Sequence, residues 1–175
     1  MSAPSAKMFV SVGEKSAFVQ INGRANFTSS VDFKTLLDQL LQKGFTCFVL
    51  DLTECVLMDS TFLGVLAGFG LKFSSPQPDK VNRAIQLFNP NGRIYELLEN
   101  LGVIHLFQVV EGNCNAPANT TDVKSTNASR EQVTSTCLEA HKILMNIHPE
   151  NVSRFKDVTA FLAEDLKRMK SGGAQ

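Results

Sequence analysis

The chain has 175 residues, of which 43% are hydrophobic and 19% charged, with seventeen Lys and Arg balancing seventeen Asp and Glu. That length suits one domain with an appendage, and the apolar content excludes a disordered chain. A formal net charge of zero leaves no global field to hold a polyanion, so nucleic acid is not an expected partner.

No apolar run approaches the roughly 18 residues that span a bilayer, and Met1 to Lys7 lacks the apolar core of a signal peptide. The expectation is a cytoplasmic protein with no membrane partner. Cys47, Cys55, Cys114 and Cys137 form no CxxC pair, which predicts idle or buried thiols rather than disulfides or a metal centre.

Met8 to Val12 and Ser16 to Ile21 are short β-prone runs separated by Gly13-Glu14-Lys15, a spacing that predicts two antiparallel strands. From Ser29 onward, Phe33, Leu36, Leu37, Leu40 and Leu41 recur at helical spacing, with Asp32 placed in the first turn and Gly44 as the stop. Phe45 to Leu52 is nearly all apolar and reads as a central strand buried on both faces. A second helix is predicted from Ser60 to about Phe73, then a breaker at Ser74 to Pro78, then a strand at Ala84 to Phe88. Asn89-Pro90 is read as the start of a third helix that ends at Gly102, and Val103 to Val110 as a last strand. Alternation of this kind predicts an α/β domain, a sheet with helices packed on it, over residues 1–110.

Residues 111–129 are crowded with Asn, Thr, Ser, Ala and Gly and are expected to form a flexible polar linker. Beyond it, Val133, Cys137, Ala140, Leu144 and Ile147 make one helical stripe. Val152, Phe155, Thr159, Leu162, Leu166 and Met169 make another, with Pro149 between the two. A helical hairpin is therefore expected over 130–170, docked on the sheet domain or on another subunit, with 171–175 as a disordered tail.

Asp59-Ser60-Thr61 lies where a loop turns into a helix, and the plainest role for such residues is capping. The helix behind it carries no charge between Asp59 and Lys72. Gly64, Ala67, Gly68 and Leu71 form a stripe of mostly small side chains, which would let it lie close to the sheet. Phe62, Leu66, Phe69 and Phe73 form a bulky second stripe, part of which is left to meet a partner or the hairpin. His141 and His148 stand seven apart, without tight metal-site geometry, and surface or capping roles are expected of them and of His105. Asp51 and Asp59 have no paired His or Lys and no Gly-rich phosphate loop in the sequence, so structural duty is expected rather than catalysis.

Val56-Leu57-Met58-Asp59-Ser60-Thr61, followed by Leu63-Gly64-Val65-Leu66, resembles the signature of the STAS domain, the fold of anti-sigma factor antagonists and sulfate-transporter tails. Ile21-Asn22-Gly23-Arg24 is similar to that family's Gly-Arg turn, Cys47 to Leu52 to its central strand, and Leu97 to Gly102 running on to Phe107 to its closing helix and strand. The resemblance covers about residues 8 to 110. It implies a mixed central sheet and a protein that is not an enzyme, needs no cofactor, and binds an anti-sigma factor/serine kinase. It also implies that phosphorylation falls on Ser60, and that Asp59, Ser60, Thr61, Phe62, Gly23, Arg24 and Asn26 meet the partner. The chain departs from the pattern at Phe62, where many members have Gly, and at Asn26, where an acidic residue is common. A scaffold or oligomerisation module without a phospho-switch, homodimeric through the apolar helix or the hairpin, is the alternative expectation.

Overall fold

A computed structural model of the protein describes residues 5–74, 84–115 and 117–172. The strands are β1 (Lys7–Val12), β2 (Ser16–Ala25), β3 (Cys47–Asp51), β4 (Cys55–Met58), β5 (Ala84–Phe88), β6 (Gln108–Val110) and β7 (Thr121–Asp122). The helices are α1 (Phe27–Gln42), α2 (Ser60–Ser74), α3 (Gly92–Asn100), α4 (Arg130–Ile147) and α5 (Glu150–Gly172). Among the described residues the sheet runs β6-β5-β3-β2-β1-β7, with β4 pairing the far end of β2. β1 is antiparallel to β2, while β3, β4, β5 and β6 pair in parallel. This is the mixed sheet with packed helices and C-terminal helical pair expected from the sequence.

Register decides which side chains share a face. Ala17, Phe48 and Ile85 stand in one row across β2, β3 and β5, and Val19, Leu50 and Leu87 in the next; all six are buried. Helices α1 and α2 cover this face. Phe33 of α1 stacks on Phe62 of α2 with ring centroids 4.3 Å apart, and Phe48 meets the edges of Phe69 and Phe73. The other face of β3 is less enclosed, since Val49 is half-buried in a row with Gln86. Burial on both faces, expected for this strand, therefore gives way to burial on one, because α1 and α2 lie on the same side.

Helix α2 is the middle of three layers. Its bulky stripe sinks toward the sheet, with Phe62 and Leu66 fully buried. Its small stripe faces the hairpin rather than the sheet, the reverse of what the sequence suggests. A Cβ added to Gly64 would lie 2.6 Å from the Ala140 carbonyl oxygen, and one added to Gly68 would lie 2.8 Å from Ile143. The hairpin thus docks on its own domain through near-backbone contact between α2 and α4. Its turn is fastened by Asn151, whose buried amide donates to the Leu101 and Leu144 carbonyls at 2.9 Å each. Arg154 adds a bond to the Asn100 carbonyl at 3.1 Å.

Other boundaries shift for local reasons. Helix α1 starts two residues before Ser29, capped by Asn26, whose side chain accepts from the Thr28 N–H at 3.1 Å, which moves Asp32 out of the first turn. The cap of α3 is Asn91, accepting from the Ile94 N–H at 3.0 Å. Asn89 instead takes a left-handed conformation with φ 56°, which Asn tolerates, and its side chain bridges Thr53 and Gly112. After α3 the chain makes a 3-10 turn at Ile104–Leu106, leaving only Gln108–Val110 for β6. The four-residue β4 has no separate sequence signal. The breaker beyond Ser74 and the last three residues of the tail lie outside the described residues.

The segment 111–129 is held at two places. Within it, β7 pairs with β1, and the Val123 N–H donates to the Met8 carbonyl at 2.9 Å. The Thr126 N–H and hydroxyl then both donate to Asp32. Ser129 opens α4 with a capping box to Gln132.

If Gly64 is the contact that seats the hairpin, Gly64→Val will cost about 1–3 kcal/mol in urea denaturation, as overpacking does. Gly92→Ala, where nothing lies within 4 Å of the added Cβ, will leave stability unchanged or raise it by up to about 1 kcal/mol. Equal behaviour of the two variants would contradict the packing account.

Candidate functional site

The sequence places two helix starts side by side, and Asp59 serves both. Its Oδ1 accepts from the Phe62 N–H at 2.9 Å and its carbonyl from the Leu63 N–H at 3.0 Å, which makes it the N-cap of α2. Its Oδ2 accepts from the Phe27 N–H at 2.7 Å, fixing the first residue of α1. The Asp59 N–H in turn donates to the Ala25 carbonyl at 2.9 Å, so β2, α1 and α2 converge on one carboxylate. Burial pushes the Asp59 carboxyl above its ordinary pKa, against the lowering effect of its backbone hydrogen bonds and of the nearby His141.

With Asp59 as the cap, Ser60 is the first residue of α2 and its hydroxyl is free for another contact. Its Oγ lies 2.9 Å from His141 Nε2, on the opposite wall of the α2–α4 joint. His141 Nδ1 lies 2.7 Å from the Cys137 carbonyl oxygen, and a carbonyl only accepts, so Nδ1 carries the hydrogen. In the neutral ring Nε2 is then the acceptor, and the Ser60 hydroxyl donates to it. His141 is 6% exposed and packs edge-on against Phe155 of α5. One turn away, the Thr61 hydroxyl donates to the Cys137 sulfur at 3.6 Å.

His141 is the residue that sequence reasoning missed: a surface or capping role was expected, yet it is buried against Ser60. It stands on the apolar stripe of α4, four residues after Cys137 and one after Ala140, so its helical phase was the available signal. The contact with Ser60 crosses 81 positions and has no local signature.

The residues expected to meet a partner do not form one surface. Phe62 is 0% exposed and stacked on Phe33, and Thr61 is 5% exposed and turned to Cys137. With α4 in place, positions one and two after Ser60 on α2 thus point into the joint and the core. Asp59 and Ser60 are half-buried. Gly23, at φ 91°, marks an irregularity in the β2–β4 pairing, after which Arg24 is exposed. Asn26 is half-buried and occupied as the cap of α1. Asp51, buried, accepts from the Thr53 N–H and hydroxyl, which is structural duty. Among the described residues no group of three or more His, Cys, Asp or Glu could hold a metal ion, and no helix is long and apolar enough to cross a membrane.

Residues 10–113 match the model of the STAS domain, and the chain belongs to that family. No curated protein matches the sequence. Among solved structures, it resembles an anti-sigma factor antagonist from Mycobacterium paratuberculosis, with 16% identity, a TM-score of 0.52, and coverage of 62% of this chain and 89% of that one. It also resembles a candidate anti-sigma factor antagonist from Thermotoga maritima, with 19% identity, a TM-score of 0.51, and coverage of 59% and 85%. At such identities the likeness concerns the fold. The matched region stops before α4, so His141 comes from outside the family domain.

Replacing Asp59 with Ala removes a cap and frees two backbone donors, and a loss of about 1–2 kcal/mol is expected in urea denaturation. An unchanged midpoint would show that water replaces the carboxylate without cost. Carboxyl NMR titration is expected to place Asp59 above the ordinary aspartate value. A group raised on folding stabilises the fold fully below its unfolded pKa, and that contribution is lost as pH rises through the folded one. A midpoint at or below the ordinary value would contradict the burial argument.

Proposed function

We propose that this STAS protein is an anti-sigma factor antagonist. It captures an anti-sigma factor/serine kinase through the Asp59–Ser60 loop and the start of α2, and phosphorylation of Ser60 controls that capture, and with it sigma-factor-dependent transcription. The observation that carries the reading is the division of labour at the head of α2. Asp59 makes the cap, so the Ser60 hydroxyl is spent on no helix bond; its one contact is with His141 of α4, and it meets a kinase when that contact opens.

In the reaction, Ser60 Oγ attacks the γ-phosphorus of ATP, the bond to ADP breaks, and the hydroxyl proton leaves to the kinase's base. The product carries about 1.5 to 2 negative charges beside Asp59. Moving a complex from 99:1 to 1:99 takes about 5.5 kcal/mol, more than an exposed charge pair supplies. The half-buried setting of Ser60 supports a larger effect, since charge repulsion is stronger where water is excluded.

The second reading, a scaffold or oligomerisation module with no phospho-switch, is favoured by one observation: α4 covers the small-residue face of α2. The two separate by intact mass after incubation with ATP and the anti-sigma-type serine kinase of the same organism. The wild-type chain is expected to gain one phosphate and Ser60→Ala none. A mass gain that persists in Ser60→Ala, or no gain in the wild type, would sink the first reading.

A further inference from the structure

We propose that the C-terminal hairpin is an intramolecular cover for α2, held over Ser60 by His141, and that a phosphate on Ser60 releases it. The proposal rests on the reading that Ser60 is the modified residue, and concerns what the modification does to this chain.

Three observations carry it. With the His141 ring neutral, the Ser60 hydroxyl donates to its Nε2, and esterification with phosphate removes that hydrogen. One turn along α2 the helices meet at backbone distance, where a single methyl group at Gly64 would already lie 2.6 Å from the Ala140 carbonyl oxygen. The Ser60 Oγ, one helical turn earlier on α2, is aimed at α4 with His141 Nε2 2.9 Å away, so four phosphate atoms added to it press on His141 and its helix. Nor can the phosphate fold back onto the amide groups at the head of α2, where an anion is ordinarily welcome. Asp59 already holds the Phe62 N–H, and its charge repels a second anion beside it.

The fastening is uneven, and this shapes the movement. At its turn the hairpin is tied by Asn151 and Arg154 to the end of α3. Next to Ser60, by contrast, α4 is held by side chains alone: the His141 bond, the Thr61–Cys137 contact and the exposed Lys34–Glu139 ion pair to α1. The part of α4 over Ser60 lifts while the turn stays attached. By reciprocity, whatever loosens α4 favours modification of Ser60, and modification loosens α4 to the same degree.

Cys137 reports the event. Its thiol is buried in the α2–α4 joint, whereas Cys55 is buried at the start of β4, where burial pushes it up to about 11. The test uses the full-length chain with phosphoserine placed at position 60 during translation by stop-codon suppression, so no natural kinase is needed. Alkylation of each cysteine is followed by peptide mass spectrometry, and amide exchange of α4 and β3 is measured alongside. Release predicts that the phosphate raises the Cys137 alkylation rate about tenfold or more and speeds exchange from Val133 to Leu144, with Cys55 and β3 as protected as before. In the unmodified chain, His141→Ala is expected to raise Cys137 alkylation by a smaller factor.

Equal protection of Cys137 with and without the phosphate would overturn the proposal, as would loss of protection at Cys55 and β3 together with α4, which is global unfolding. Either result leaves the kinase assay on Ser60 unaffected. Conversely, failure of that assay leaves the response of α4 to an installed phosphate intact, so the two ideas fail separately.

Discussion

The contact on which the rest of this structure depends is the meeting of α2 and α4 at Gly64 and Ala140. A helix with apolar side chains all round has to be covered on more than one side, and α2 meets this by dividing its surface. Aromatic rings fill the space over the sheet, where Phe33 stacks on Phe62 and Phe48 meets Phe69. Glycines line the other side, where a second helix comes to backbone distance. The hairpin is thereby part of the packing of the STAS domain, not a module on a tether. The same closeness brings His141 within reach of Ser60.

The sequence made most of the framework legible because the signals were local. Strand β5 and the start of α2 lie where the pattern puts them, and Gly44 stops α1 at its positive φ. The errors arose where two neighbours offer the same chemistry. Asn89 and Asn91 are both plausible caps, and only the folded chain shows that the first takes a left-handed turn while the second accepts from Ile94. Strand β4 is short, and what defines it is pairing with the end of β2, which no local pattern records.

The candidate site was half legible for the same reason. Asp59 and Ser60 stand together in the chain, and a cap at that point is a local event. Which of the two does the capping depends on Phe27, whose N–H occupies the other carboxylate oxygen. His141 depends on a helix 81 residues away. The two stripes on α2 showed that a second partner for the helix was needed. They did not show which stripe faced which layer, because glycine serves close approach to a sheet and to a helix equally well.

The pairing of β7 with β1 has a consequence for how the family domain would behave alone. Among the described residues β1 is followed outward in the sheet only by these two residues, and a bare strand edge is a template for pairing with other chains. A chain cut after residue 113, at the limit of the family match, would lose this edge guard together with the hairpin. It would then present an open strand and a glycine-lined helix at once. Self-association of such a fragment would report the loss of that guard, and would be no guide to how the intact protein assembles.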